Sequence, residues 1–110
     1  MQYMLLIYSA ESTPMQERPA MSEWFDYTKS LRSAGAFVAG DPLQPTTTAT
    51  SVRLRAGERM ITDGPFAETK EQLGGYYLIE AKDLDAALDW AAKCPGARVG
   101  TIEVRPVMAM

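Results

Sequence analysis

The sequence contains no histidine, and Cys94 is the only cysteine among its 110 residues. Without histidine, the chain can form neither a Ser-His-Asp or Cys-His catalytic arrangement nor a metal site built on imidazole. Proton transfer by its side chains must therefore use carboxylates, lysine or tyrosine, and we expect no metal and no cofactor. A lone cysteine excludes an intrachain disulfide and is typical of a reducing compartment, so we expect a cytoplasmic location.

A long apolar run and an excess of basic residues are also lacking. No segment approaches the roughly 20 apolar residues that a membrane helix needs, and residues 1–8 resemble a strand more than a signal peptide. Eleven basic residues stand against fourteen acidic ones, which gives a net charge of −3. A weakly acidic chain has little attraction for a phosphate backbone. We therefore expect neither nucleic acid nor a membrane among its partners.

What the sequence does contain is the material of one domain over residues 1–110, since 46% of the residues are apolar and 23% charged. Apolar runs and alternation predict strands at 2–8, 36–40, 50–55, 59–63, 76–80 and 101–105. Apolar stripes at spacings of three and four predict helices at about 19–34 and directly after Asp83. This order, β-α-β-(β-hairpin)-β-α-β, is a ferredoxin-like α+β pattern with an antiparallel sheet and two helices on one face.

The first strand is apolar on both of its sides, with Leu5 and Ile7 on one face and Leu6 and Tyr8 on the other. Because both helices lie on the same face of the sheet, the other face remains an exposed apolar patch. Patches of this kind usually mark an interface. A two-fold partner that packs sheet on sheet would cover it, so we expect a homodimer.

Asp63 is the leading candidate for chemistry, because it ends a predicted strand and precedes the turn Gly64-Pro65. A carboxylate that faces a partly closed cavity has its pKa raised by desolvation and can act as a general acid or base. Alternatively, the carboxylate accepts hydrogen bonds from turn amides, as in many Asp-Gly turns. Residue chemistry alone favours this second, structural interpretation.

The segment from Asp63-Gly64-Pro65-Phe66 to Gly74-Gly75-Tyr76 resembles the signature of the YCII-related proteins, in particular the subgroup named for its Asp-Gly-Pro-Phe motif. The similarity covers almost the whole chain and includes residues 3–8, 43–50, 83–87 and 103–106. It implies a ferredoxin-like fold that dimerises into an α+β barrel, a cavity on the sheet face and no established reaction. Better-studied relatives are associated with acid–base catalysis by a His–Asp pair. Asp63 matches the aspartate, whereas nothing in this chain matches the histidine.

Strand alternation places Glu103 and Arg105 on one face, directed toward the barrel interior if Ile102 and Val104 pack on the helices. The pair is either a structural ion pair or part of an anion-binding pocket. We favour an arrangement in which Glu103 pairs with Lys70 or with Arg53 of the hairpin. Arg105 is then free to bind the carboxylate of a ligand.

Tyr8 and Tyr76 complete the candidate ligand-binding residues, although tyrosines in such positions more often belong to a core or an interface. Cys94 lies on the apolar face of the second helix, where we expect a buried and inert thiol.

Two functions of different classes remain open. The first is a cofactor-independent enzyme of isomerase or lyase type, in which Asp63 moves a proton and Arg105 or Lys70 holds an acidic group of a small organic substrate. The second is a non-catalytic accessory or regulatory binding protein. For this alternative, the resemblance implies an association with extracytoplasmic-function sigma factors. An open cavity beside an ionisable Asp63 favours the enzyme, and a cavity filled by the protein's own side chains favours the binding protein.

Overall fold

Six strands and two helices follow one another in the predicted order in the computed structural model, which describes residues 1–110. The elements are β1 Gln2–Ser9, α1 Met21–Ser33, β2 Phe37–Pro42, β3 Thr50–Arg55, β4 Glu58–Asp63, β5 Gln72–Glu80, α2 Leu84–Lys93 and β6 Thr101–Pro106. Three short 3-10 helices lie in the connections, at Met15–Glu17, Thr46–Thr48 and Pro95–Arg98. Neither α-helix is long and apolar enough to cross a membrane.

The main sheet has the strand order β2-β5-β1-β6, and all of its pairings are antiparallel. This is the ferredoxin-like arrangement, so the predicted fold class is confirmed. β5 begins at Gln72, before its predicted start, because Gly75 pairs with Ile7 and the ladder then continues past a bulge at Gly74 to Leu73 and Gln72. A Cβ atom at Gly75 would lie 3.1 Å from the Asp41 carbonyl oxygen, and glycine therefore allows β2 to approach β5 closely.

The helix ends follow from local sequence. α1 begins at Met21, because Ala20 is still extended and its N–H donates to the Glu23 carboxylate at 2.8 Å. Gly35, at φ 72°, follows the last turn of α1 in the left-handed conformation, as predicted. At the start of α2, the Asp83 carboxylate accepts a hydrogen bond from the Ala86 N–H at 2.9 Å.

Both helices pack on the same face of the sheet, as predicted. The core is formed where buried side chains of β1 and β5 meet those of α1 and α2, namely Tyr3, Leu5, Tyr77, Ile79, Tyr27, Leu31, Ala87 and Ala91. Tyr27 donates a hydrogen bond to the Trp90 carbonyl oxygen at 2.7 Å, so the phenol of this core residue is satisfied. Cys94 is buried beside them, in agreement with its interpretation as an inert thiol.

We expect the protein to lose stability steeply above about pH 9. Burial raises the pKa of the Cys94 thiol to about 11 and raises the pKa of the Tyr27 phenol above its ordinary value. In the unfolded chain both groups ionise at ordinary pKa values, about 8.5 and 10. As the pH rises through these values, the unfolded state releases protons that the folded state retains. The free energy of unfolding then falls by about 1.4 kcal/mol per pH unit for each such group.

Urea denaturation between pH 7 and pH 11 measures this effect. Cys94→Ala should remove the part of the loss that begins near pH 9 and leave the part due to tyrosine. A free energy of unfolding that is flat to pH 11 would contradict the burial of both groups.

Strands β3 and β4 form a separate two-stranded sheet, which we call the arm (residues 50–63). Ala56 and Gly57, at φ 52° and 81°, form the tight turn that the sequence predicts. The cross-strand neighbours Val52 and Ile61 remain 60% and 59% exposed, because no other part of the chain covers them. The Cα radius of gyration is 15.8 Å, larger than the about 13 Å of a compact domain of this length. The arm therefore extends away from the core.

Candidate functional site

Two adjoining cavities lie where the connections after β1 and β2 and before β5 meet. The first, with a volume of about 460 Å³, contains Trp24 in its wall and is called the Trp24 cavity. The second, of about 580 Å³, contains Phe66 in its wall and is called the Phe66 cavity. Both are lined by residues 43–45 and by Gln72 and Leu73. Their volumes fall within the range of about 300–1,000 Å³ that is usual for small-molecule sites.

A hydrogen-bonded clasp joins the loop after β1 to the short helix before β3. The Glu11 carboxylate accepts from the Thr46 N–H at 3.0 and 3.1 Å and also from the Thr46 hydroxyl. These hydrogen bonds lower the pKa of Glu11, so the carboxylate stays ionised. Arg18 donates from Nε to the Thr13 carbonyl at 2.8 Å and from Nη2 to the Glu11 carbonyl at 2.6 Å. The clasp positions Glu11 and Arg18 in the wall of the Trp24 cavity.

Asp63 lies at the base of the arm, opposite Thr50 and directly before the turn at Gly64. The turn is stabilised by the Gly64 N–H, which donates to the Ala49 carbonyl at 2.7 Å, and by the Ser51 hydroxyl, which donates to the Gly64 carbonyl at 2.8 Å. The Asp63 carboxylate takes part in none of the hydrogen bonds of the structure. The interpretation of Asp63 as an acceptor for turn amides is therefore wrong, because main-chain and serine groups already satisfy this turn.

Tyr8 and Lys70 occupy different surroundings near this turn. Tyr8 lines the Phe66 cavity together with Pro65, which follows the turn that Asp63 begins. The Lys70 side chain is exposed, lines neither cavity and forms no ion pair. Of the predicted site residues, Tyr8 is thus the one that borders a cavity directly.

Tyr76 lies on the face of the sheet opposite the helices, next to the edge strand β2. Its phenol donates a hydrogen bond to the Asp41 carboxylate at 3.0 Å. This hydrogen bond and the negative charge of Asp41 raise the pKa of Tyr76 above its ordinary value, because ionisation would place two anions together. The phenol is therefore neutral at physiological pH and acts as a hydrogen-bond donor.

Glu103 and Arg105 lie on this same face of the sheet, since Ile102 and Val104 alternate with them and pack against the core. The Arg105 Nε is 4.0 Å from the Glu103 Oε2, and both side chains are largely exposed. The expectation that Glu103 pairs with Lys70 or with a hairpin arginine is wrong. Neighbouring positions on one strand face bring Glu103 to Arg105, whereas the hairpin belongs to a separate sheet.

The structure thus divides the predicted site residues into two groups. Tyr8, Tyr76, Glu103 and Arg105 share the open face of the main sheet, whereas Asp63 and Lys70 belong to the segment outside it. No group of three cysteine, aspartate or glutamate side chains is arranged to hold a metal ion.

Sequence reasoning missed three cavity-lining residues, Glu11, Arg18 and Trp24. Trp24 belongs to the apolar stripe of α1, which predicts a core position, and it does pack against the core. One signal in the sequence could have indicated Arg18. It stands with Pro19 directly before α1, so no neighbour on a helix is available to form an ion pair with its side chain.

Comparison with known proteins places these observations in a family. The family model described as the YCII-related domain matches residues 1–110. The chain belongs to this family. A protein of Rhizobium meliloti (strain 1021) that is named only as uncharacterised is 40% identical over an alignment of 114 positions. The alignment covers 97% of this chain and 92% of that protein.

A solved structure is similar to this YCII-related chain as a whole. It is that of 5-chloro-2-hydroxyhydroquinone dehydrochlorinase from Burkholderia phenoliruptrix AC1100, in complex with 2,5-dihydroxybenzoquinone. The TM-score is 0.56 at 15% sequence identity, and the match covers 98% of this chain and 94% of the dehydrochlorinase. At this identity the likeness shows that the two chains share a fold and does not extend to their ligands.

Proposed function

We propose that this YCII-related chain binds a small organic molecule in the cavities at the end of its sheet and acts on it by proton transfer through Asp63. The observation that carries the proposal is the pair of adjoining cavities beside the turn after Asp63. Open cavities of about 460 and 580 Å³ are large enough for a ligand and are not filled by the protein's own side chains.

Asp63 is suited to proton transfer because its carboxylate accepts no hydrogen bond from the chain and is exposed. Pro65, two positions further on, lines the Phe66 cavity, so the carboxylate lies close in sequence to the cavity wall. The chemical class is then a cofactor-independent isomerisation, in which one carboxylate removes a proton from one carbon and returns it to another. An elimination is the second option, in which the carboxylate removes the proton, the leaving group departs with its bonding electron pair, and the proton is later released to water.

Asp63→Asn is expected to leave the stability unchanged and to lower the turnover strongly. Because the carboxylate has no partner, we expect the free energy of unfolding to stay within about 0.5 kcal/mol of the wild type. Loss of the general acid or base should lower the turnover about 10²- to 10⁴-fold. Thermal unfolding measures the first effect. Exchange of carbon-bound hydrogen for deuterium in ligands found by NMR screening measures the second.

Asp89→Asn is the matched control, because Asp89 is exposed on α2 and forms no hydrogen bond. It should change neither quantity. If Asp63→Asn lowers the melting temperature and leaves hydrogen exchange unchanged, Asp63 has a structural role and the proposed chemistry is refuted.

The alternative is a non-catalytic accessory or regulatory binding protein. It is favoured by one observation, namely that Asp63 itself lines neither of the two cavities. The association with an extracytoplasmic-function sigma factor belongs to this alternative and rests on the family resemblance alone, as the cytoplasmic location rests on composition. Ligands that bind to the cavities and are never converted would support this alternative.

We further propose that the chain forms a homodimer through the open face of its main sheet. That face presents the apolar side chains Met4, Leu6 and Leu78, which are only half-buried although they lie near the middle of the sheet. The molecule measures 47 × 42 × 18 Å, so it is a thin layer with one uncovered side. A second copy that packs sheet on sheet closes the barrel and buries this apolar surface.

The arm also favours a second copy of the chain as the partner. An isolated two-stranded hairpin is marginally stable in water, and this one leaves Val52 and Ile61 exposed. Its three arginines, at 53, 55 and 59, exceed its two acidic residues, whereas the whole chain has a net charge of −3. A second copy therefore offers the arm both an apolar and an acidic surface.

A further inference from the structure

The charged groups in the wall of the Trp24 cavity are Glu11 and Arg18, and they are not equivalent. The Glu11 carboxylate is occupied by the N–H and the hydroxyl of Thr46. The Arg18 guanidinium donates two hydrogen bonds to main-chain carbonyls and forms no ion pair with any carboxylate. Its positive charge is thus held in position without a direct ion pair, and the nearby Glu11 carboxylate, whose pKa it helps to lower, interacts with it only through space.

The remaining donors of Arg18 make no hydrogen bond within the chain. A guanidinium carries five N–H groups in a planar fork, which matches the two oxygen atoms of a carboxylate. The two carbonyl bonds, at 2.8 and 2.6 Å, fix the plane of this fork before any ligand arrives. Little side-chain entropy remains to be lost when an anion binds.

Part of the cavity wall is apolar. Ile7, Trp24 and Val99 line it, and Gly96 lies beneath them. A Cβ atom at Gly96 would lie 3.1 Å from Ile7 Cγ2 and 3.2 Å from Trp24 Cη2. Glycine at this position therefore allows both side chains to close over the main chain and form a wall against which a flat ring can lie.

We infer that the Trp24 cavity binds a small organic anion, namely a flat ring with a carboxylate, with the ring against Trp24 and the carboxylate on Arg18. This inference rests on the proposed small-molecule function and adds the class of the ligand. It replaces Arg105 by Arg18 as the residue that holds the acidic group.

The test compares 1-naphthoate with its neutral amide, 1-naphthamide, by isothermal titration calorimetry. Hydrogen bonds to charged groups contribute about 1.5–3 kcal/mol, so the wild type should bind the acid roughly 10- to 100-fold more tightly than the amide. In Arg18→Gln the acid should bind no better than the amide. Lys29→Gln, which removes an exposed cation of α1 outside the cavity, should retain the full preference.

Salt dependence of the wild type gives a second measurement that does not need the variant to fold. The affinity for 1-naphthoate should fall several-fold between 20 mM and 500 mM NaCl, whereas that for 1-naphthamide should not. Equal affinity for acid and amide, or a preference that persists in Arg18→Gln, would overturn the assignment of Arg18.

A broader screen separates this inference from the proposed function on which it rests. If neutral ring compounds bind in the Trp24 cavity and carboxylates do not, the small-molecule function stands and the anion inference fails. If neither neutral nor anionic compounds from a fragment library bind, both fail together.

Discussion

Replacement of Leu6 by lysine is expected to convert the proposed dimer into a monomer of unchanged fold. Leu6 lies at the centre of the open sheet face, on the inner strand β1, between Tyr76 of β5 and Glu103 of β6. In the dimer each copy would bring an ammonium group into a closed apolar contact, where desolvation of an ion is costly. We expect the dimer to dissociate about 100-fold more readily or more.

We choose lysine and not an acidic residue at this position, because lysine should preserve the stability of the monomer. Directly opposite Leu6 on β6 stands Glu103, so a lysine gains a favourable cross-strand charge pair within its own chain. The variant should therefore retain its melting transition at low concentration while it loses its partner. Multi-angle light scattering at micromolar concentration measures the molar mass of the variant, which is compared with the 12.1 kDa mass of one chain.

Leu88→Lys is the matched control, because Leu88 is 45% exposed on the outer side of α2 and away from the proposed interface. It should remain a dimer. A second variant, with serine at both Val52 and Ile61, tests whether the arm contributes to the same contact, and we expect it to weaken the dimer. A wild-type mass of 12.1 kDa, or a dimeric Leu6→Lys, would refute the sheet-to-sheet model.

Much of the fold was predictable because it depends on local patterns. The alternation at 50–55 and 101–105, the Gly35 at the end of α1 and the Asp83 cap of α2 each act within a few residues of chain. The ferredoxin-like order then follows from connection rules for strands and helices. What these patterns could not show was that the hairpin would leave the main sheet, since this depends on which strand edges find partners.

The candidate site was less predictable, because its walls come from distant parts of the chain. Glu11 meets Thr46 across 35 positions, and Gly96 meets Trp24 across an interval about twice as long, which contains helix, hairpin and strands. No spacing rule relates such residues before the fold is known. For Asp63, the motif indicated an important turn but not which groups satisfy it, and the hydrogen bonds of Gly64 and Ser51 turned out to leave the carboxylate free.

Replacement of Gly100 by alanine is expected to be the most damaging single-methyl change in the chain. Gly100 directly precedes β6, at the point where this strand joins β1 through the pair Tyr8 and Thr101. A Cβ atom there would lie 2.0 Å from the Tyr8 carbonyl oxygen and 3.1 Å from the main chain of Ser9. Main-chain atoms within a ladder cannot move aside as the end of a flexible side chain can.

The added methyl group must therefore separate the start of β6 from β1 or distort both strands. Overpacking of side chains costs about 1–3 kcal/mol, and a clash with main chain should reach or exceed the upper end of that range, out of a total stability of about 5–15 kcal/mol. Gly74→Ala is the control, because its Cβ would meet its nearest neighbour, the Ile7 carbonyl oxygen, at an ordinary 3.9 Å. Urea denaturation should show a large loss for Gly100→Ala and a small change for Gly74→Ala. Equal midpoints for the two variants would mean that β6 does not approach Tyr8 as closely as described, and the shared sheet face of Tyr8 and Arg105 would have to be reconsidered.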